Sequence, residues 1–233
     1  MKKIFTFLAI LLFIGVIGAN AQETVKPDYA LIEKNIKDKN SPYFYSKLVE
    51  RYNAADVSLT VEERRHLYYG FAVLDKPVDE VAIKETENKL KEALHKQSPT
   101  LADLNDVVTY TGQLLEVYPF SITMMQYRVY CLKALNRYEE AAKVREQSDI
   151  IIDAMLSSGD GTTPENCIHV IDVKNEYELV GILGFEPQGE EYMISNKYNY
   201  VVINKNSYDL PGLFFDTTTA KTVTGLSNAV TGL

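Results

Sequence analysis

The spacing of apolar residues changes once along this chain, and the change limits the folds that the chain can adopt. From Asp28 to Ser158, apolar residues recur every three or four positions, as on the buried faces of α-helices. After Gly161 they alternate as in strands, apart from one short helical stretch between Glu176 and Leu183. The sequence therefore predicts an α+β fold: about seven N-terminal helices in antiparallel pairs, then a small, mainly antiparallel sheet with one helix.

The first 21 residues have the three parts of a secretory signal peptide. Lys2 and Lys3 precede an apolar run over residues 4–17, and Ala19-Asn20-Ala21 matches the small-x-small pattern of a cleavage site. The run is shorter than the ~20 apolar residues that a membrane span needs. We therefore expect cleavage after Ala21, export to the periplasm or the extracellular space, and a mature chain without a membrane span.

Charge and cysteine content narrow the classes of partner. The chain has 32 acidic and 24 basic residues, for a net charge of −8. An acidic surface repels nucleic acid, so we expect no nucleic-acid partner. Two cysteines, Cys131 and Cys167, are too few for a disulfide framework, and the sequence favours two buried free thiols.

Capping and repeat signals organise the predicted helical region, residues 22–158. Ser41-Pro42 predicts an N-cap followed by proline at the first helical position. Thr60 and Glu63 have the spacing of a capping box. The stretch VYPFSITMMQYRVYCLKALNRYEEAAK, residues 117–143, resembles one tetratricopeptide repeat and predicts two antiparallel helices. An ordinary antiparallel helix pair would show the same spacing, and both interpretations stay open.

The motif Gly159-Asp160-Gly161 separates the helical pattern from the strand pattern. A phosphate-binding glycine loop follows a strand and precedes a helix, which is the reverse of the order here. A calcium loop needs oxygen ligands at alternate positions, and Pro164 supplies none. We interpret the loop as a seam, in which Gly159 takes a left-handed conformation and Pro164 prevents the helix from resuming. Residues 159–233 then form the small α+β region, in which residues 218–233 have no assignable structure.

Several short motifs occur in an order typical of one family. They are LYYG (residues 67–70), SGDGTTPEN followed by HVIDVKNEYEL, LGF (residues 183–185) and LFFD (residues 213–216). In these motifs the chain resembles the domain of unknown function 4919, a family of secreted proteins from Gram-negative gut bacteria. The resemblance implies export and a helices-then-sheet plan. It implies no activity, cofactor or catalytic residue.

Two Glu-x-x-His spacings are the candidates for metal ligands. Glu63 with His66, and Glu92 with His95, each place a carboxylate and an imidazole on one helix face. Di-iron carboxylate bundles use two such motifs with further glutamates. Glu63 is also the capping partner of Thr60, which favours a structural role, so no metal or other cofactor is predicted.

The remaining patterns give no catalytic residue. Cys167 and His169 share one face of a predicted strand, where side chains two residues apart point in parallel, and this favours a structural histidine. The 16 tyrosines can contact sugars or peptides, but packing explains them as well. The sequence therefore predicts a non-enzymatic exported interaction module that binds a peptide or protein in a helical groove. A cell-envelope hydrolase that acts on glycan or peptide through acidic residues is the alternative.

Overall fold

The predicted helices form the larger part of the structure. The computed structural model describes residues 24–74, 79–194 and 197–219; the predicted signal peptide (residues 1–21) and residues 220–233 of the unassigned tail lie outside this part. Within the described residues, seven helices precede the first strand, as predicted. They are α1 (Tyr29–Lys37), α2 (Tyr45–Asn53), α3 (Val61–Ala72), α4 (Glu80–Leu94), α5 (Leu101–Val117), α6 (Ile122–Ala134) and α7 (Tyr138–Leu156).

Side chains at the helix starts explain two of these boundaries directly. The capping box predicted at α3 is confirmed: Thr60 Oγ1 accepts from the backbone N–H of Glu63, and Glu63 Oε2 accepts from that of Thr60. Thr100 and Asp103 form the same reciprocal pair at α5. Each box satisfies N–H groups that the first turn of a helix leaves unpaired.

The start predicted for α2 at Ser41-Pro42 is wrong. Ser41 closes a turn instead of capping the helix: its Oγ accepts from the backbone N–H of Tyr43, and its carbonyl accepts from that of Phe44. Serine side chains that bond to the backbone two residues ahead favour turns over helix. The helix therefore begins at Tyr45, later than the sequence predicts.

The helices pack mainly against their neighbours in the chain. α4, α5, α6 and α7 contact one another in order, and their short connections make neighbours antiparallel. α7 also packs against α3, which contacts α1 and α2. Ala141 of α7 is buried, which allows α6 and α7 to approach closely. The resemblance of this pair to a tetratricopeptide repeat remains a prediction.

A small sheet with one helix follows, as predicted. Its strands pair in the order β1-β4-β3-β2; β2 and β4 both run antiparallel to β3, and β1 runs parallel to β4. β2 is an edge strand whose register shifts between Pro187 and Glu191, and Gly189 between them has a φ of +81°. The elements are β1 (Ile168–His169), α8 (Lys174–Ile182), β2 (Pro187–Ile194), β3 (Tyr198–Ile203) and β4 (Gly212–Asp216).

The predicted strand that contains Cys167 and His169 is short, since β1 comprises only Ile168 and His169. After β1, the backbone N–H of Val170 still donates to the carbonyl of Asp216, but Asp172 Oδ1 accepts from the backbone N–H of Lys174. This Asx turn leads directly into α8. Residues 167–171 are all buried, so their apolar side chains pack in the core without forming a longer strand.

In the seam between α7 and β1, the left-handed residue is not the one that the sequence predicts. Gly161, with a φ of +75°, takes the left-handed conformation that was predicted for Gly159. Gly159 is needed for space instead, because a Cβ there would lie 2.2 Å from the carbonyl oxygen of Cys167. Asp160 Oδ1 accepts from the backbone N–H and the hydroxyl of Thr162, so this carboxylate stabilises the turn.

One hydrophobic core extends across the seam. It includes residues from α1–α7 as well as from β1, α8, β3 and β4. Two buried tyrosines of α3 add polar links: the Tyr68 hydroxyl donates to Asn175 Oδ1 at 2.7 Å and accepts from the backbone N–H of Ile171, and the Tyr69 hydroxyl donates to the carbonyl of His169. Buried hydroxyls need such partners, so these bonds fix the two regions relative to each other.

Candidate functional site

A cleft opens where the helical and sheet regions meet. It lies between the end of α3, the turn from α5 to α6 and the connection from β1 to α8, and its volume is about 50 Å³. This is room for one side chain or a few water molecules, well below the ~300–1,000 Å³ of sites that enclose a small molecule. The lining includes Phe71, Ala72, Tyr118, Phe120, Ile171 and Asp172.

Aromatic rings form the wall of this cleft. The ring centre of Phe120 lies 5.4 Å from that of Phe71, 5.6 Å from that of Tyr52 and 5.7 Å from that of Tyr68. The pairs with Phe71 and Tyr52 have the edge-to-face geometry that aromatic quadrupoles favour. Tyr52 is held further by its hydroxyl, which donates to the carbonyl of Pro119 at 3.1 Å. The wall is therefore preorganised for an apolar group.

A carboxylate of α8 fixes two residues that line the cleft, Ser121 and Asn175. Glu178 of α8 caps α6: its Oε1 accepts from the backbone N–H of Thr123 at 2.8 Å and from the hydroxyl of Ser121 at 3.1 Å. Its Oε2 accepts from Asn175 Nδ2 at 2.7 Å, and Asn175 in turn accepts from Tyr68. A carboxylate at a helix N-terminus also interacts favourably with the helix dipole.

The charged groups around the cleft are mostly acidic. Burial raises the pKa of Tyr118 to about 12, and the nearby carboxylates of Glu87, Asp172 and Glu80 add to the rise. A neighbouring cation is Lys174, whose Nζ lies 5.6 Å from the centre of the Tyr118 ring and whose pKa burial lowers. Three carboxylates face two ammonium groups, since Lys84 also acts on Glu87. The balance of charge near Tyr118 therefore favours a cationic ligand.

A second candidate site is a buried cluster of Cys167, His169 and Asp216. Cys167 Sγ lies 3.9 Å from His169 Nε2, and His169 Nδ1 lies 3.7 Å from Asp216 Oδ2. All three residues are buried, and one ligand atom from each lies within 4.8 Å of the other two. In the part of the chain that the structure describes, this is the one group of three or more His, Cys, Asp or Glu residues with metal-ligand spacing.

The sheet register explains how this cluster forms. Cys167 precedes β1 by one residue and His169 ends it, so their side chains lie on the same side of the sheet. The parallel pairing of β1 with β4 places His169 beside Asp216. Although the two side chains point in parallel, Cys167 Sγ lies within hydrogen-bond distance of the imidazole. The prediction that parallel side chains would stay out of contact is therefore wrong.

Burial controls the protonation of this cluster. Burial raises the pKa of the Cys167 thiol, and the Asp216 carboxylate raises it further. Burial lowers the pKa of His169, although Asp216 acts in the opposite direction. The sulfur, imidazole and carboxylate follow one another in the order of a Cys-His-Asp triad. A protonated, buried thiol is a weak nucleophile, so burial acts against activation of Cys167.

The two glutamates predicted as metal-ligand candidates lie outside the cluster. Glu63 is engaged by the capping box with Thr60 and by an ion pair with Arg51. Glu92 is exposed on α4.

The two histidines predicted with them serve their own helices. His66 is buried, its Nδ1 lies 2.8 Å from the carbonyl of Glu62, its Nε2 lies 3.0 Å from Asn35 Nδ2, and its ring stacks on Tyr43 at 4.0 Å. The Nδ1 of His95, which ends α4, bonds to the carbonyl oxygen four residues earlier. Neither Glu-x-x-His pair belongs to the metal-spaced cluster.

The structure also bears on the predicted free thiols and on the predicted lack of a membrane span. Cys131 and Cys167 are both free and buried. Within the described residues, every helix is too short or too polar to cross a membrane.

Comparison with known proteins identifies a family but gives no activity. The model of a family described as a domain of unknown function (DUF4919) matches residues 30–223. No curated protein and no solved structure matches the chain significantly. The matched range contains the cleft, the buried cluster and, among the described residues, every helix in full except α1, whose first residue lies just before it. The chain therefore belongs to the family of the domain of unknown function 4919.

Proposed function

We propose that this chain is an exported, non-enzymatic interaction module, and that its cleft binds one apolar side chain of a basic peptide or protein segment. The observation that carries the proposal is the aromatic wall around Phe120, beside the carboxylates of Asp172, Glu87 and Glu80 near Tyr118. A cavity of about 50 Å³ suits a single anchoring side chain. Anchors of this kind, inserted in a preorganised apolar pocket, dominate the energetics of many protein interfaces.

The charge around the cleft selects the class of partner. Three carboxylates lie near Tyr118, and the whole chain has a net charge of −8. Lysine or arginine next to the anchoring residue would therefore speed association and favour the bound state. We therefore expect the partner's recognition motif to be an apolar residue with a basic residue on each side.

The cleft itself lacks the features that the alternative, a hydrolase of the cell envelope, would need there. Glycoside hydrolysis with acidic residues requires two carboxylates that face the same sugar. The cleft has a volume of about 50 Å³, and its lining contains one carboxylate, that of Asp172. A panel of glycan and peptide substrates tests this alternative directly, because turnover would replace the interaction proposal.

Peptide binding tests the proposal. Fluorescein-labelled hexapeptides with a central Phe or Leu between lysines are titrated with the mature chain, and fluorescence anisotropy is measured. We expect saturable binding that is at least tenfold weaker when glutamates replace the lysines. Ala72→Leu, which fills the cleft, should abolish binding, whereas Ala82→Leu on the exposed face of α4 should leave it unchanged. Equal binding by both variants would refute the cleft as the site.

The electrostatic part has a separate variant. Asp172→Asn removes a charge but keeps the side-chain oxygen that accepts from the backbone N–H of Lys174. We expect the affinity for the lysine-flanked peptide to fall several-fold and its salt dependence to weaken. Asp160→Asn at the exposed seam is the matched control. An unchanged affinity in Asp172→Asn would exclude the acidic surface from recognition.

A further inference from the structure

The buried cluster on the sheet has the chemistry of a metal site. Cys167, His169 and Asp216 supply sulfur, nitrogen and oxygen donors from two paired strands, independently of the cleft. All three residues are at most 9 % exposed. Burying such polar groups is unfavourable unless they have partners. Thr218 satisfies one oxygen of Asp216, while the other oxygen, the imidazole and the thiol face one another.

We propose that Cys167, His169 and Asp216 bind one Zn²⁺ ion. Zinc bonds of about 2.3 Å to sulfur and about 2.0–2.1 Å to nitrogen, at a tetrahedral angle, place these two donor atoms about 3.6 Å apart. The corresponding distance here, from Cys167 Sγ to His169 Nε2, is 3.9 Å. Shifts of a few tenths of an ångström in side-chain torsions therefore suffice to close the sulfur–nitrogen pair on the ion.

The position of Asp216 supports its role as the third ligand. Its Oδ1 accepts from the backbone N–H and the hydroxyl of Thr218, which holds this oxygen in place. One Asp216 oxygen lies within 4.8 Å of Cys167 Sγ and of one His169 nitrogen. The 3.7 Å contact of Oδ2 is with Nδ1, the ring nitrogen that does not face the sulfur. With zinc on Nε2, the carboxylate therefore has to turn from Nδ1 toward the ion in order to bind it. Hydrogen bonds that hold one oxygen of a carboxylate are typical second-shell contacts of metal ligands.

The donor set selects the metal. Thiolate and imidazole are preferred by zinc and similar transition metals, whereas Ca²⁺ and Mg²⁺ prefer oxygen ligands. Thiolate and carboxylate together carry two negative charges, which balance those of a divalent cation. Three protein ligands leave one position of a tetrahedral ion for water or an outside ligand.

A neighbouring cation gives the proposal a distinctive prediction. Lys197 Nζ lies 4.0 Å from Asp216 Oδ2, and its side chain is 49 % exposed. This ammonium group competes with a metal ion for the carboxylate. Lys197→Gln should therefore strengthen zinc binding several-fold, an effect that a purely structural cluster would not produce.

Cobalt substitution tests the site. The reduced mature chain is freed of metal with a chelator and titrated with Co²⁺, and the absorption spectrum is recorded. We expect a thiolate-to-cobalt charge-transfer band and tetrahedral d–d bands that saturate at one equivalent and disappear when Zn²⁺ is added. Cys167→Ser and His169→Ala should lose the charge-transfer band or weaken binding at least tenfold. Cys131→Ala, which removes the other buried thiol, is the matched control and should keep the band.

A second measurement on the wild-type chain does not depend on the folding of a variant. Bound Zn²⁺ should slow alkylation of Cys167 at least tenfold without changing that of Cys131, as measured by peptide mass spectrometry in partially unfolding conditions. Absence of the cobalt band in the folded wild-type chain, its persistence in Cys167→Ser, or equal alkylation of Cys167 with and without Zn²⁺ would each overturn the proposal. The peptide titrations above use the cleft alone, so the two proposals succeed or fail separately.

Discussion

The stability of the fold depends on the protonation of one buried carboxyl group, that of Glu176, which is paired with Asn199. Asn199 Nδ2 donates to Glu176 Oε1 at 2.9 Å, while Glu176 Oε2 and Asn199 Oδ1 are buried without a hydrogen-bond partner among the described residues. Burial raises the pKa of Glu176 to about 8, and the carboxylates of Glu191 and Asp172 add to the rise. A protonated Glu176 can donate from Oε2 to Asn199 Oδ1, which would satisfy both of the remaining atoms.

Glu176→Gln should therefore remove part of the pH dependence of stability. The folded-state pKa of about 8 lies above the ordinary value of 4.5, so the stabilising contribution is complete below pH 4.5 and is lost as the pH rises through 8. In the wild type this group lowers the free energy of unfolding by at most about 1.4 kcal/mol per pH unit in that window. Glutamine mimics the protonated acid, so the melting temperature of Glu176→Gln should exceed that of the wild type at pH 8–9. Glu165→Gln, at an exposed position, should follow the wild type at every pH.

The seam provides a second prediction at the level of residues. Gly159→Val should destabilise the chain by more than about 1 kcal/mol, because its Cβ would overlap the backbone carbonyls of Cys167 and Asn166, at 2.2 and 2.4 Å. Asp160→Ala removes only exposed turn contacts and should cost less. Gly181→Ala in α8, where nothing lies within 4 Å of the added methyl, should be neutral or stabilising. Chemical denaturation ranks the three variants. A rise in melting temperature with Ca²⁺ or phosphate that Asp160→Ala abolishes would contradict the structural role of the seam.

At the level of elements, Glu178 makes α6 depend on α8. Glu178→Ala would leave the backbone N–H of Thr123 and the amide of Asn175 without their acceptor. We expect a loss of about 3 kcal/mol in the free energy of unfolding, since each unpaired buried group costs about 1–3 kcal/mol. Asp79→Ala removes a comparable but exposed cap from α4 and should cost about 1 kcal/mol. Equal losses in urea denaturation would show that α6 does not need its partner.

Local chemistry explains which elements could be predicted from the sequence. The start of α3 follows from the reciprocal hydrogen bonds of Thr60 and Glu63. The helical periodicity, which extends to Ser158, locates the end of α7 to within two residues. The start of α2 and the conformation of Gly159 could not be predicted, because Ser41 has two possible backbone partners and Gly159 faces a carbonyl from a later segment.

The candidate sites depend on pairings that the sequence does not encode locally. Alternation placed Cys167 and His169 on one face, but Asp216 joins them only through the parallel pairing of β1 with β4. The cleft likewise combines Phe71, Phe120 and Asp172 from three distant segments. The buried cluster depends on the register of two strands, and the cleft depends on how the helices pack. The sequence spacing of these residues indicates neither feature.

For the whole molecule, the shared core predicts a single unfolding transition. Tyr68 and Tyr69 are both 0 % exposed and donate to Asn175 of α8 and to the carbonyl of His169 in β1, so neither region is complete alone. Far-UV circular dichroism, which follows the helices, and near-UV dichroism, which follows the tyrosines, should give the same midpoint. A chain that ends at residue 158 should show no cooperative transition. Two separated transitions in the full chain would establish two domains instead.

The irregular edge of the sheet has a consequence for behaviour in concentrated solution. An unprotected edge strand offers its free N–H and C=O groups as a template for strands of other copies, which is a common route to aggregation. β2 carries exposed Tyr192 and Met193, which by themselves would favour such growth. Pro187 has no N–H to offer, Gly189 breaks the register, and Glu191 adds charge. The register shift and the charge of β2 therefore disfavour edge-to-edge association of this sheet with other copies.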